Sequence, residues 1–244
     1  MKAMIFAAGL GTRLKPITDT KPKALVTVAG KTLLQHVIEK LAENGFHDIV
    51  INVHHFSEQI IQYLEANNRF GLSIAVSDET DKLLDTGGGI KKAKPLLDNG
   101  EPFLIHNVDI LSNADLKGLY KKHLNQACDA TLLVSNRKSS RYLLFDQEKR
   151  LQGWKNETTG EVKSPISDFH AEEYTPYAFS GIHVLSPSVF RKMDSFPDKF
   201  PIMDFYISKC NEMKFNAEID ANLHLIDVGK LNSIEEAERM MKQE

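Results

Sequence analysis

Through the first 135 residues, short apolar runs alternate with amphipathic stretches, and that rhythm leaves few folds open. Ala3 to Ala8 reads as a strand. Leu33, Leu34, Val37, Ile38 and Leu41 recur at helical spacing and mark one buried helix face, and Asp48 to Val53 reads as the next strand. The alternation continues with a helix over 56–67, a strand over 73–76, a helix over 89–97, a strand over 102–107, a helix over 115–125 and a strand over 130–135. Strands joined through helices need crossover connections. The pattern therefore predicts an α/β chain, a three-layer sandwich whose mostly parallel sheet is covered on both faces. Ligands of such sheets gather beyond the carboxyl ends of the strands.

After Ser135 the rhythm breaks. Residues 137–177 are polar, with Tyr142 to Phe145 and Leu151 to Trp154 as short strand candidates and a loop-like stretch over 156–161, so they read as an inserted β-hairpin region. A strand over 179–185 returns to the core. A helix over 202–210, a strand over 224–228 and an amphipathic helix over 233–242 follow, the last with Ser233 as N-cap and Glu236 three residues on. With 244 residues and 42% hydrophobic content, the chain can bury a full core.

The most explicit chemistry lies at the end of the first strand. The apolar run empties into Gly9-Leu10-Gly11, followed at once by Thr12, Arg13, Lys15, Lys21 and Lys23. Glycine lets backbone N–H groups approach an anion closely, and the cations neutralise the charge that a triphosphate brings. Two better-known phosphate loops are excluded. No Gly-Lys-Ser/Thr follows the glycines, and Leu14 stands where the dinucleotide fingerprint needs its third glycine.

Two aspartates complete the pattern. Asp109, in Asn107-Val108-Asp109, lies just beyond the carboxyl end of the apolar strand Phe103-Leu104-Ile105, and Asp227 closes the run from Leu223 just before Val228-Gly229. Either alone is an ordinary turn former. Beside a cationic glycine loop, two strand-end carboxylates suit Mg²⁺, which takes one or two carboxylates plus substrate phosphates, and they suggest a metal-assisted reaction at phosphorus. Thr86-Gly87-Gly88-Gly89 adds consecutive N–H groups and room for a flat ring, or serves as a hinge. His54 and His55, adjacent after a strand, point to opposite sides and read as a structural loop pair. Trp154 reads as packing under the hairpin.

A net charge of −3 gives no electrostatic reason to expect a nucleic-acid partner. Cys128 and Cys210 lie far apart without metal spacing and fit buried thiols in a reducing cytosol. The opening apolar run is far too short to span a membrane, so the expectation is a cytoplasmic protein with no membrane partner.

Together these residues resemble the sugar-1-phosphate nucleotidyltransferases. That family opens with roughly leucine-alanine-(glycine or alanine)-glycine-x-glycine-threonine-arginine-leucine-x-proline-leucine-threonine, then proline-lysine-proline. Ala7 to Thr18 and Pro22-Lys23-Ala24 match it. Later landmarks follow in order: Thr86-Gly87-Gly88, Asp109, Ser180-Gly181-Ile182, and Leu225-Ile226-Asp227-Val228-Gly229 for tryptophan-x-aspartate-x-glycine. The resemblance implies a Rossmann-like, GT-A-like fold in one domain over 1–244. Its nucleotide-binding half would reach about residue 135, its sugar-binding and inserted region about residue 230, and a C-terminal helix would close it.

The chemistry implied is in-line attack of a sugar-1-phosphate oxygen on the α-phosphorus of a nucleoside triphosphate, with pyrophosphate leaving. Ala7, Ala8, Gly9, Gly11, Thr12 and Asn107 would contact the nucleotide, and Gly87 and Gly88 would wall its base. Arg13 would meet the leaving pyrophosphate, and Lys23 the α-phosphate and the attacking phosphate. Asp109 and Asp227 would hold Mg²⁺, while Lys155, Ser180 and Gly181 would face the sugar. Ala7-Ala8-Gly9 with Thr86 to Ile90 is most similar to the branch that joins UTP to N-acetylmuramate 1-phosphate, whose lactyl carboxylate Arg141 or Lys155 would meet. Val108, Ala24 and Leu225 depart from the pattern without removing a reactive group. The alternatives are guanylyl transfer to mannose or heptose 1-phosphate and a catalytically inactive nucleotide-sugar-binding regulator. The regulator predicts a lost metal aspartate or lysine, and a nicotinamide oxidoreductase predicts a third loop glycine; neither is met.

Overall fold

The computed structural model describes residues 1–241. Strand β1 (Lys2–Phe6) leads through a looped segment to a small ladder of β2 (Thr27–Val28) and β3 (Lys31–Thr32). Helix α1 (Leu33–Glu43) begins where Gln35 N donates to Thr32 Oγ1 at 3.0 Å, a cap worth about 1 kcal/mol. The series continues with β4 (Asp48–Val53), α2 (Ser57–Ala66), β5 (Ser73–Asp78), α3 (Asp85–Lys92), α4 (Lys94–Leu97), β6 (Phe103–Asn107) and β7 (Ile110–Ser112). Asp115 caps α5 (Leu116–Asn125), which precedes β8 (Ala130–Ser135). The inserted hairpin is β9 (Arg141–Phe145) and β10 (Leu151–Asn156), extended by β11 (Val162–Lys163). The chain closes with β12 (Thr175–Leu185), α6 (Ser188–Met193), α7 (Ile202–Lys209), β13 (Phe215–Ile219), β14 (Leu225–Asp227) and α8 (Leu231–Met241).

Among the described residues the main sheet has ten strands. β5, β4, β1 and β6 lie side by side and parallel, and β12 joins β6 antiparallel. At eleven residues β12 is long enough to pair with β6, β8 and β9, so the hairpin and the β8–β13 pair both grow from it. Its register with β8 shifts between Phe179 and His183, where Gly181 takes a left-handed φ of 78°. β14 pairs with β7 in a separate ladder beyond the end of β6.

Side-chain alternation along each strand feeds two cores. Ala3, Ile5, Ile49, Ile51 and Leu104 face α1, α2, α5 and α8, while Met4, Val50, Phe103 and Ile105 face α3, α4, α6 and α7. This is the predicted three-layer α/β arrangement with a mostly parallel mixed sheet. Some details differ. The glycine triplet lies inside α3, which begins four residues before the expected start. The terminal helix starts at Leu231, so Ser233 sits in its first turn; its hydroxyl accepts from Lys230 N at 3.1 Å and donates back to Lys230 O, and it caps nothing further on. The expected last residue of that helix, Lys242, lies outside the described residues. The sequence reading also omits β7, only three residues long, and β13, although Phe215 to Ile219 alternates apolar and polar as a half-buried strand does. No helix among the described residues is long and apolar enough to cross a membrane.

Candidate active site

Beyond the carboxyl ends of β1, β4, β5 and β6 lies a pocket of about 550 Å³. The loop after β1 forms its floor. Gly11 adopts a left-handed φ of 65°, and a β-carbon there would stand 2.9 Å from Thr18 Cγ2 and 3.1 Å from Lys23 Cβ. Only glycine lets the loop fold this tightly over the Pro22-Lys23 segment. Thr18 Oγ1 and Leu14 N both donate to Gly11 O at 2.8 Å and close the turn. Gly9 is different, since a β-carbon there would meet nothing within 4 Å. Ala7, Ala8, Gly9, Gly11, Thr12, Arg13, Lys23, Asn107 and Asp109 all line the pocket.

Lys23 is buried, and its ammonium donates to Asp109 Oδ2 in an ion pair. Asp227 is joined to Asp109 through the β7–β14 ladder, where Val228 N donates to Asp109 O at 2.8 Å. Partial desolvation, and then the Asp109 carboxylate, raise the Asp227 carboxyl above the usual aspartate range against the pull of Lys23, Arg13 and Arg137. Two carboxylates that repel each other in this way are residues that could hold a divalent ion if substrate phosphates completed its shell. Gly229 makes the junction. A β-carbon on it would stand 2.6 Å from both Arg13 Nη2 and Asp227 Oδ1. The bare glycine is what lets guanidinium and carboxylate share this corner.

Gly87 and Gly88 stand behind the pocket wall. Their N–H groups both donate to Phe200 O, at 2.9 and 3.1 Å, and β-carbons on them would collide with the Phe200 ring and the Asp198 carbonyl. They serve close packing of α3 on the segment before α7. The wall itself comes from Leu83, Asp85, Thr86 and Pro201. Ser180 is likewise consumed: it is buried, donates to Leu133 O at 2.8 Å and accepts from Ile182 N at 3.2 Å, stitching the β12 bulge. Gly181 leaves room for Asn107, whose Nδ2 would lie 2.7 Å from a β-carbon there. Lys155 pairs with Glu157 and lies over the Tyr142 ring at 5.7 Å; Arg141 is exposed; neither lines the pocket.

Some of the site escapes sequence reasoning. Asn52 accepts from Ala7 N at 2.8 Å through Oδ1 and donates from Nδ2 to Glu79 Oε1 at 2.8 Å, while Glu79 Oε2 accepts from Leu84 N at 3.1 Å. This buried chain ties the glycine loop to the opposite wall. A polar residue inside the apolar run Ile49 to Val53 is its one trace in the sequence. Arg137 is the other: its guanidinium donates to Phe179 O at 2.8 Å, and burial pulls its pKa down against the opposing pull of Asp227. His54 Nδ1 instead meets Glu79 O at 2.7 Å and the His55 ring lies 4.0 Å from the Phe56 ring at a tilt of 45°, both structural roles. Lys163 sits over the Trp154 ring at 5.3 Å, and Trp154 packs against the core.

Comparison with known proteins decides what such a site belongs to. The family model described as nucleotidyl transferase matches residues 2–244. The chain belongs to that family. It is 34% identical over 194 residues to the N-acetylmuramate alpha-1-phosphate uridylyltransferase of Caulobacter vibrioides, an alignment covering 77% of this chain and 76% of that one. It is 45% identical over 121 residues to the enzyme of the same name from Neisseria meningitidis, covering 50% of this chain and 52% of that one. A probable mannose-1-phosphate guanylyltransferase of Oryza sativa is 32% identical over 81% of this chain and 53% of its own length.

The nucleotidyltransferase fold recurs in solved structures. HddC from Yersinia pseudotuberculosis superposes with a TM-score of 0.77 at 23% identity, covering 98% of this chain and 99% of its own. The inositol-1-phosphate CTP transferase of T. maritima does so with a TM-score of 0.77 at 17% identity, covering 99% and 96%. The chain is thus a sugar-1-phosphate nucleotidyltransferase of the GT-A-like fold. UTP, GTP and CTP are all represented among the names of the proteins it resembles.

Proposed function

We propose that this nucleotidyltransferase moves a uridylyl group from UTP to an N-acetylated amino-sugar 1-phosphate, with N-acetylmuramate 1-phosphate as the first choice. The carrying observation is two electrostatically linked pairs at the pocket edge, Arg13 with Asp227 beside Gly229 and Lys23 with Asp109. Cations and carboxylates packed this closely suit a reaction that gathers five or so phosphate charges and neutralises them, and do not suit hydride or acyl transfer. Names of relatives at 34% and 45% identity support the choice of nucleotide and sugar.

In this reading Asp109 and Asp227 hold Mg²⁺, which supplies charge neutralisation and phosphate alignment when bound. The glycine loop lays backbone N–H groups under the triphosphate. Lys23 exchanges its carboxylate partner for the α-phosphate and the acceptor phosphate, drawing the two together. An acceptor phosphate oxygen forms the new bond to the α-phosphorus as the bond to the bridging oxygen breaks, and pyrophosphate departs with that electron pair against Arg13. The acceptor oxygen is already anionic, so no general base is needed. Arg137, beside Asp227, or exposed Arg141 supplies a cation for a lactyl carboxylate, since Lys155 is already paired.

Pyrophosphate release is the test, measured with UTP, GTP, CTP and dTTP against N-acetylmuramate, N-acetylglucosamine, glucose and mannose 1-phosphates, each with Mg²⁺ and with chelator. Release is expected only when sugar 1-phosphate and Mg²⁺ are both present, and fastest with UTP and the N-acetylated sugars. Release without sugar phosphate would overturn the reading; preference for GTP with mannose 1-phosphate would overturn its choice of substrates.

A further inference from the structure

The pocket is charged unevenly along the sheet edge. Arg13 and Lys23 gather on the β6 side with Asp109, whereas the β4–β5 side carries Asn52, Glu79, Leu83 and Asp85 and no cation among the described lining residues. A polyanion is held at the first side and repelled from the second. A nucleoside triphosphate therefore lies with its base toward Asp85, and this step rests on the reading that the pocket takes such a nucleotide.

Two carboxylates reach that side, and they are not equivalent. Glu79 is fully buried with both oxygens taken, by Asn52 Nδ2 at 2.8 Å and Leu84 N at 3.1 Å. Among the described residues Asp85 has only a distant partner, Lys199 Nζ at 3.9 Å, and its side chain is 39% exposed. Its backbone is held in the left-handed region at φ 59°, uncommon for a residue with a side chain. The next residues enforce that conformation: Thr86 Oγ1 accepts from Ile202 N at 2.8 Å, and Gly87 and Gly88 donate to Phe200 O. A pinned acceptor that no described group hydrogen-bonds, at the end of the ligand pocket without cations, can receive a donor from a ligand.

The geometry points to Asp85 as the residue that reads the nucleobase, its carboxylate accepting the ring N–H of the base. An ionised carboxylate can only accept. Uracil offers N3–H, and guanine offers N1–H with its 2-amino group. Cytosine and adenine present a bare acceptor nitrogen at the same place and face the carboxylate lone pair to lone pair. Thymine carries the same N3–H as uracil, so Asp85 leaves dTTP to be rejected by other contacts.

The test compares kcat/KM for UTP, GTP and CTP in the native protein, Asp85→Asn and Asp85→Gly, with thermal midpoints alongside. Asparagine and glycine both accept the left-handed backbone, so both variants keep the fold. An amide can donate as well as accept, and Asp85→Asn is expected to raise CTP use relative to UTP about tenfold or more. Asp85→Gly is expected to lose UTP efficiency mainly through KM while its thermal midpoint holds or rises. Unchanged UTP-to-CTP ratios in both variants of a UTP-using protein would overturn the inference and leave the proposed function standing. Native preference for GTP would overturn the uridylyl choice and leave Asp85 as the reader, whereas native preference for CTP would overturn both.

Discussion

Lys23 and Asp109, separated by 86 positions in the chain, form an ion pair at the floor of the pocket with side chains only 10% and 20% exposed. Breaking so sheltered a pair from one side strands a charge, which costs more than the pair contributes. Lys23→Ala is expected to lower stability by about 1–3 kcal/mol. Combining it with Asp109→Asn should return most of that loss without returning turnover, which should fall about a hundredfold or more in each variant. Urea midpoints and turnover of the three variants check this; a double variant no more stable than Lys23→Ala would show that the pair matters only to chemistry. Lys21→Ala, outside the pocket lining, should cost far less turnover than Lys23→Ala.

Gly229→Ala separates function from fold. The added β-carbon would meet Arg13 Nη2 and Asp227 Oδ1, both far ends of side chains that can swing away. Stability is expected to stay within about 1 kcal/mol of the native value, since nothing rigid is struck. Turnover should drop about a hundredfold, because the displaced groups are those proposed to face pyrophosphate and Mg²⁺. A stable Gly229→Ala protein with native turnover would release both residues from the chemistry.

The glycines of the first loop and of α3 should answer in opposite ways. At Gly9 a β-carbon meets nothing within 4 Å, so Gly9→Ala is expected to unfold like the native protein while its KM for nucleotide rises. At Gly88 the β-carbon meets the Asp198 backbone carbonyl, which cannot rotate away. Gly88→Ala should lose about 1–3 kcal/mol of stability, the usual range for an overpacked core. Equal thermal midpoints for the two variants would contradict the packing role assigned to the triplet.

That contrast shows where sequence reasoning reaches and where it stops. The βα rhythm and the placing of the glycine loop, Lys23 and Asp109 at one sheet edge were legible because each leaves a local mark: a period, a turn residue, a carboxylate after an apolar run. Gly87 and Gly88 misled because glycine permits two opposite things, an exposed backbone or a close packing partner, and only Phe200, more than a hundred residues on, selects between them. Ser180 misled for the same reason, its hydroxyl being claimed by Leu133 on a neighbouring strand. The Asn52–Glu79 link and Arg137 depend on strand order, and no spacing within one segment records which strands become neighbours.

Stability should also fall on mild acidification. His106 and His123 are pushed down to about 4 and His183 to about 3, in each case chiefly by burial, from an ordinary value of 6.5. The sign follows from linkage: between about pH 6.5 and the folded values, the unfolded chain binds protons that the folded chain refuses, so stability decreases as pH falls through that window. Each histidine contributes a slope of about 1.4 kcal/mol per pH unit once the unfolded form is protonated. His123 is held neutral between Thr131 Oγ1 and Ser186 Oγ, both at 2.9 Å. His183 is more exposed to the argument, because neither ring nitrogen has a partner among the described residues and the ring lies between Phe179 and Tyr206, at 5.4 and 5.8 Å. His183→Phe keeps an aromatic ring in that slot and removes the site that cannot be protonated. Urea midpoints of the native protein are expected to fall from about pH 7 to about pH 5, and the His183→Phe protein should fall less steeply by about one histidine's share. Parallel pH profiles for the two proteins would mean that His183 takes up its proton inside the fold.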